Sequence, residues 1–262
     1  MKQLLSALLV LTFATLACNA TIPGALVGSG NVVTESFDVS DFDQIRLGTS
    51  GTLYVEQGDE FSLTIETDDN ILPALNVDVT KGVLRLTANP DYTALQSTTL
   101  IYRVTVPELT ALDVSGSGEI FVGDFKSASL SMTVSGSGDT VFSNAEIDSL
   151  TINVNGSGKV TIESATSEDI TIKVNNSGDV TLAGETESIT ITTSGSGKVF
   201  AEELKTTKAD VTINGSGDTN LWVTKAITVN ISGSGEVRYW GAPKVELKNN
   251  SGSGELTPLG DK

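Results

Sequence analysis

From Leu112 onward, apolar residues recur at every second position in short runs that end at a glycine-containing turn. Leu112 and Val114; Leu130, Met132 and Val134; Leu150, Ile152 and Val154; Ile170, Ile172 and Val174; Ile189 and Ile191; Val211 and Ile213; and Ile227, Val229 and Ile231 lie two, four or six places ahead of a turn. A period of two is the signature of strands with one buried face, and an α-helix cannot satisfy it. Past the turns alternation resumes with Ile120 and Val122, Val160 and Ile162, Val180 and Leu182, Val199 and Ala201, then Val237 and Tyr239. Each unit is therefore expected to hold two short strands joined by a corner.

The corners repeat. Gly-Ser-Gly occurs at Gly116–Gly118, Gly136–Gly138, Gly156–Gly158, Gly195–Gly197, Gly215–Gly217, Gly233–Gly235 and Gly252–Gly254, with Asn176-Ser177-Gly178 filling the gap. The closing glycines are 18 to 20 residues apart. A unit that short cannot bury its own apolar face, so neighbouring copies must stack as a solenoid around one shared core. Two properties of the corner call for glycine: a φ above zero, and coils at strand spacing, roughly 4.8 Å apart, that leave little room for side chains at the bend. Stacking many coils gives the margin, since each buried aliphatic contributes roughly 1.5 to 3 kcal/mol against ordering of about 1 to 2 kcal/mol per backbone residue.

Register also makes columns beside the corners. Just before them stand Ser115, Ser135, Asn155, Asn175, Ser194, Asn214 and Ser232, short polar groups able to bond the corner backbone or one another. Just after them stand Glu119, Asp139, Lys159, Asp179, Lys198, Asp218, Glu236 and Glu255. The mixed signs predict an exposed electrostatic ladder, each pair worth at most about 1 kcal/mol. Calcium binding is the alternative, because some glycine-rich β-rolls place Asp beside their turns, but lysines in the same column oppose it.

Residues 28–108 lack this beat yet stay strand-like at Gln44 to Leu47, Thr52 to Val55, Phe61 to Ile65, Leu75 to Val79, Val83 to Leu86 and Leu100 to Val106. A solenoid needs an atypical end to hide its terminal core, so this stretch reads as an irregular N-terminal cap. Pro107 and Pro258, lacking N–H groups, are placed to discourage further edge pairing.

Composition narrows the chemistry. The 262 residues include no His, which excludes a Ser-His-Asp triad, a Cys-His nucleophile and His-ligated metal. Sixteen Lys and Arg against 33 Asp and Glu give a net charge of −17, a surface that repels phosphate backbones and anionic lipids. The single Cys, Cys18, follows a positive start (Lys2) and an apolar run from Leu4 to Leu16. That run is too short to span a bilayer and reads as an export signal. It resembles a bacterial lipoprotein signal over residues 1–17, in which Cys18 becomes the lipidated first residue; ordinary cleavage near Ala17 or Ala20 is the alternative. The expected plan is signal, tether 18–27, and one domain from 28 to 262, with repeats over 109–257 and a tail from 258.

For ligand contact the candidates are aromatic. Trp222 and Trp240 both lie five places after the last glycine of their turns, which predicts that they point outward, one above the other on neighbouring coils, with Phe200 and Arg238 nearby. Exposed indoles can face a sugar ring, so a glycan or cell-surface protein is one partner class. The alternative is that they cover the C-terminal coils or pack under residues 241–262. A polysaccharide-acting enzyme using Asp139 and Asp179, or Glu202 and Glu203, is a rival from another class, opposed by coils too short for inserted loops. A ligand-free envelope spacer is the third reading. Asn-X-Ser/Thr triplets such as Asn155-Gly156-Ser157 coincide with the turns and are read as incidental. With no phosphate loop, nucleotide fingerprint or basic patch, neither a cofactor nor a nucleic-acid partner is expected, and the only membrane contact expected is through the N-terminal lipid.

The arrangement around Phe42-Asp43-Gln44-Ile45, Val55-Glu56-Gln57-Gly58, Val83-Leu84-Arg85-Leu86 and Val106-Pro107-Glu108-Leu109, followed by Leu112-Asp113-Val114-Ser115-Gly116-Ser117-Gly118, resembles the putative auto-transporter adhesin, head GIN domain family over roughly residues 31–240. The resemblance implies a bacterial envelope or surface protein built as a right-handed parallel β-helix, and supplies no catalytic residues. The fold class expected is all-β: a β-solenoid of about 20-residue coils behind an irregular β-rich N-terminal cap.

Overall fold

The computed structural model describes residues 22–262; the segment expected to be an export signal, and Cys18, lie outside the described residues. Among the described residues the structure is all-β apart from one 3₁₀ turn, Leu72–Ala74, and forms a β-solenoid of about 7 turns. The N-terminal part contains β1 (Ala25–Val27), β2 (Val32–Phe37), β3 (Gln44–Leu47), β4 (Thr52–Gln57), β5 (Ser62–Asp68), β6 (Leu75–Thr80), β7 (Val83–Ala88), β8 (Ala94–Gln96) and β9 (Leu100–Val106). The repeats follow as β10 (Ala111–Val114), β11 (Ile120–Val134), β12 (Thr140–Val154), β13 (Val160–Val174), β14 (Val180–Thr193), β15 (Val199–Ile213), β16 (Thr219–Ile231), β17 (Val237–Trp240), β18 (Lys244–Asn250) and β19 (Leu256–Pro258).

Successive repeats pair in parallel, so that like residues stack: Leu130 on Leu150, Leu150 on Ile170, Ile170 on Ile189. The alternating aliphatics before and after the turns from Gly116 to Gly235 are buried, whereas Val245 and Leu247, ahead of the last turn, are exposed. The coils from β11 to β15, however, have three inward segments rather than the two expected. Along β11 the buried positions are Ile120 and Val122, then Phe125 and Ser127, then Leu130, Met132 and Val134. The phase slips by one residue at Gly123–Asp124 and again at Ala128–Ser129, where the chain bends. In the following coils the middle segment changes character from coil to coil, Ala145 with Ile147, then Ala165, then Leu204 with Thr206, and so carries no steady alternation signal.

The corner glycines correct one expectation and bear out the other. None of those in the Gly-Ser-Gly turns has a positive φ. Space is the reason for them: a Cβ on Gly136 would stand 1.9 Å from the Gly116 carbonyl oxygen, and one on Gly156 the same 1.9 Å from that of Gly136. A positive φ is needed instead at Gly184 (φ +117), which takes the place of Ala165 in the coil with one residue fewer.

The N-terminal part also contributes to the stack, out of sequence order. β3 pairs with β10 on one side and β7 on the other, and β4 lies between β11 and β9, all in parallel. Residues 44–57 thus form a coil between the first repeat and a terminal coil made from 83–106. Thr49-Ser50-Gly51 stands under Gly116-Ser117-Gly118, with the Thr49 and Gly51 carbonyl oxygens beneath the two glycines. Thr49 keeps a side chain because the coil below departs at residue 89, and its hydroxyl meets the buried Tyr102 hydroxyl at 3.1 Å. Antiparallel strands close this end: β6 on β7, β5 on β9, and β2 on β5.

Candidate ligand-binding surface

The outward columns follow from the same register. In the column just after the turns, the Asp side chains bond the next coil's backbone: Lys159 N–H donates to Asp139 Oδ1 at 2.8 Å, Lys198 N–H to Asp179 at 2.8 Å, and Glu236 N–H to Asp218 at 3.1 Å. Lys198 also pairs with Asp218 at 3.3 Å. These aspartates therefore act in the ladder as backbone acceptors as well as charges. Before the turns, Asn175 Nδ2 donates to Asn155 Oδ1 at 2.6 Å, one asparagine bonding the next.

Two positions further on lies a column the sequence reading passed over. Arg103, Tyr54 and Phe121 occupy successive coils, with the Tyr54 and Phe121 rings stacked at 5.4 Å and the Arg103 guanidinium 4.9 Å from the Tyr54 centroid. Phe200 belongs to this same column, separated from Arg238 by Asn220. The signal was available, since Tyr54, Phe121 and Phe200 each lie three residues after a turn glycine, but Gly51 was hidden in a turn that reads Thr-Ser-Gly. In such a stack the ring faces meet each other along the solenoid axis, which leaves their edges outward.

Trp222 and Trp240 are direct Cα partners on β16 and β17, both outward and half-buried. Their setting depends on β15. Pairing between β15 and β16 shifts between Ala201 and Lys205, so Glu202, Glu203 and Leu204 form a bulge and Trp222 lies opposite Lys205. Bulges of this kind re-aim side chains. Past β17 the chain turns at Gly241 (φ +96), returns as β19 alongside β17, and Gly241 N–H donates to the Gly260 carbonyl at 2.8 Å.

That return carries Lys262 onto the tryptophans. Its ammonium is 5.4 Å from the Trp222 ring centroid and 5.7 Å from that of Trp240. It donates to Glu203 Oε1 at 2.6 Å and to the Glu202 carbonyl. Glu202 Oε2 and Asn220 Oδ1 are shielded from solvent with no hydrogen-bond partner. Of the four aromatic-site candidates, then, the two tryptophans come together, Arg238 sits beside Trp240 but pairs with Glu236, and Phe200 lies in the adjoining column. Neither Lys262 nor Glu203 was expected here as part of an aromatic site. Of the residues weighed for catalysis, Asp139 and Asp179 bond backbone, and Glu203 faces a lysine.

No helix among the described residues is long and apolar enough to cross a membrane. Among curated proteins no sequence matches significantly. Solved structures do match. A putative lipid binding protein from Parabacteroides distasonis is 26% identical with a TM-score of 0.84, over 90% of this chain and 99% of that one. A putative adhesin from Parabacteroides merdae is 22% identical with a TM-score of 0.83 over the same shares, and one from Bacteroides fragilis is 22% identical with a TM-score of 0.65 over 89% and 100%. The latter two establish likeness of fold. The family profile described as putative auto-transporter adhesin, head GIN domain, matches residues 41–243, and with stacked coils, glycine corners and an antiparallel end already in view, this chain belongs to that family.

Proposed function

We propose that the protein is an exported, noncatalytic, adhesin-like module of the cell envelope, tethered through Cys18, whose C-terminal coils contact a glycan or a surface partner. The observation that carries this reading is the pair Trp222 and Trp240, held in register on an outward face. Tryptophans are enriched where proteins meet partners, because one side chain offers a large apolar area with a polar handle. A tether at Cys18 would enter the molecule beside β1, at the cap end. At about 4.8 Å per coil, the eight steps from Arg103 to Arg238 along one outward column place the tryptophan coils roughly 40 Å from that end.

Binding of the purified protein to glycan arrays, to intact bacterial cells and to lipid vesicles tests this reading, vesicles being included because the Parabacteroides distasonis neighbour is named a putative lipid binding protein. Trp222→Ala with Trp240→Ala should abolish binding while far-UV circular dichroism stays unchanged. Binding that survives the double substitution would refute the site. The spacer reading is favoured by one observation, that Lys262 already lies over both rings; absence of binding on every surface would decide for it.

A further inference from the structure

We propose, building on the adhesive reading of this same surface, that Trp222, Trp240 and Glu203 form a receptor for a primary alkylammonium group, and that Lys262 is its intramolecular occupant. Both ring centroids lie within about 6 Å of the ammonium, the range in which a ring's quadrupole attracts a cation. Surface lysines ordinarily extend their ammonium into water. The Lys262 side chain is only 25% exposed, and its ammonium hydrogen-bonds to the Glu203 carboxylate and the Glu202 carbonyl.

The receptor's parts are held by strands that do not include Lys262. Parallel pairing of β16 with β17 sets the two indoles together, and the register shift in β15 brings Glu202 and Glu203 to their side. Beside them an acceptor is left over, Glu202 Oε2, buried with no donor. Aromatic faces, a carboxylate and a free acceptor are together complementary to a cation that also donates hydrogen bonds. A neutral sugar brings no cation to the ring faces, and a quaternary ammonium has no N–H for either oxygen. The chemistry selected is the primary amine head of a lysine side chain or of an ethanolamine group.

The chain's 2 tryptophans are both in this site, so emission excited selectively at tryptophan, to the red of tyrosine absorption, reports on it alone. The full-length protein with Lys262→Ala is titrated with n-butylammonium chloride at constant ionic strength, with tetramethylammonium and sodium chlorides as controls. A saturable emission change with butylammonium, weaker with tetramethylammonium and absent with sodium, is expected. The unsubstituted protein should need about tenfold more amine, because a tethered competitor acts at high effective concentration. Adding Glu203→Gln to Lys262→Ala should weaken binding by about fivefold or more, as loss of a charge-assisted hydrogen bond does. Glu203→Gln alone should release Lys262 and shift tryptophan emission, a readout independent of added ligand. No saturable response in Lys262→Ala, or equal responses to all three salts, would overturn the proposal. Comparison of Nα-acetyl-lysine amide with ethanolamine then assigns the source, tighter saturation by the first indicating a protein lysine and by the second an aminoalcohol head group. Because this titration needs only purified protein, it can succeed where the cell-binding assay fails, and the reverse.

Discussion

Thr193 stands in the aliphatic column between Val174 and Ile213, fully buried, and its hydroxyl has no hydrogen-bond partner. Threonine and valine have nearly the same shape, so Thr193→Val should remove the desolvation cost and leave packing intact. Stabilisation of about 1 kcal/mol, read from the midpoint of urea unfolding at unchanged m-value, is the expected outcome. Tyr102 is buried too, but its hydroxyl has a partner in Thr49. Burial pushes its pKa up to about 12 from 10.0, only partly offset by that hydrogen bond. Because the folded state holds the proton more tightly than the unfolded chain, the associated stability is complete below pH 10.0 and is lost as pH rises toward about 12. Unfolding titrations between these values should show a decline for the native protein that is flattened in Tyr102→Phe.

At the level of elements, the N-terminal segment is fastened by one carboxylate. The buried Asp68 side chain accepts from Gly30 N–H at 2.7 Å, Thr98 N–H at 2.7 Å and the Thr98 hydroxyl at 2.7 Å, joining residues 28–31 to the end of β5 and the stretch after β8. Gly28 allows the approach, since a Cβ there would lie 2.4 Å from Asp68 Oδ2. Burial raises the pKa of this carboxyl, but the hydrogen bonds outweigh it and hold the value below the ordinary carboxylate range. The contribution is present above the unfolded-state pKa and disappears as pH falls through the lower, folded one. Hydrogen exchange in residues 24–31 should therefore accelerate on acidification before the repeat strands respond, and Asp68→Asn should show the fast exchange at neutral pH. Such a latch is not readable from sequence, nor is the intercalation of β3 and β4 between distant strands, because both depend on contacts across tens of residues. The outer inward segments are readable, since their aliphatics alternate; the middle one is not, since its occupants differ from coil to coil, from Phe125 and Ser127 through Ala145 and Ile147 to Ala165 and then Leu204 and Thr206. The tryptophan pairing can be read from equal offsets to Gly217 and Gly235, whereas nothing in the pattern around Lys262 names the face it joins.

For the molecule as a whole, a stack in which each coil touches only its neighbours is nearly one-dimensional, so energetics should be additive by coil. Between Gly118 and Gly178 the closing glycines are 20 residues apart, and a coil can be removed without changing phase. Deleting residues 139–158 would bring Lys159 directly after Gly138 and set Leu150's successor, Ile170, against Leu130. The shortened protein should keep its β-rich circular dichroism and a single unfolding transition, with an m-value lowered in proportion to the chain removed. Loss of cooperativity would show that the coils are not interchangeable. The interleaved N-terminal end behaves otherwise. A chain threaded from its N-terminus through a secretion pore delivers residues 44–57 first, yet both sides of that layer stay bare until residues 83–106 and 111–122 have followed. Vectorial folding therefore cannot proceed layer by layer from the leading end: the first durable intermediate must await about 120 residues on the far side, after which every further repeat can be laid down as it emerges.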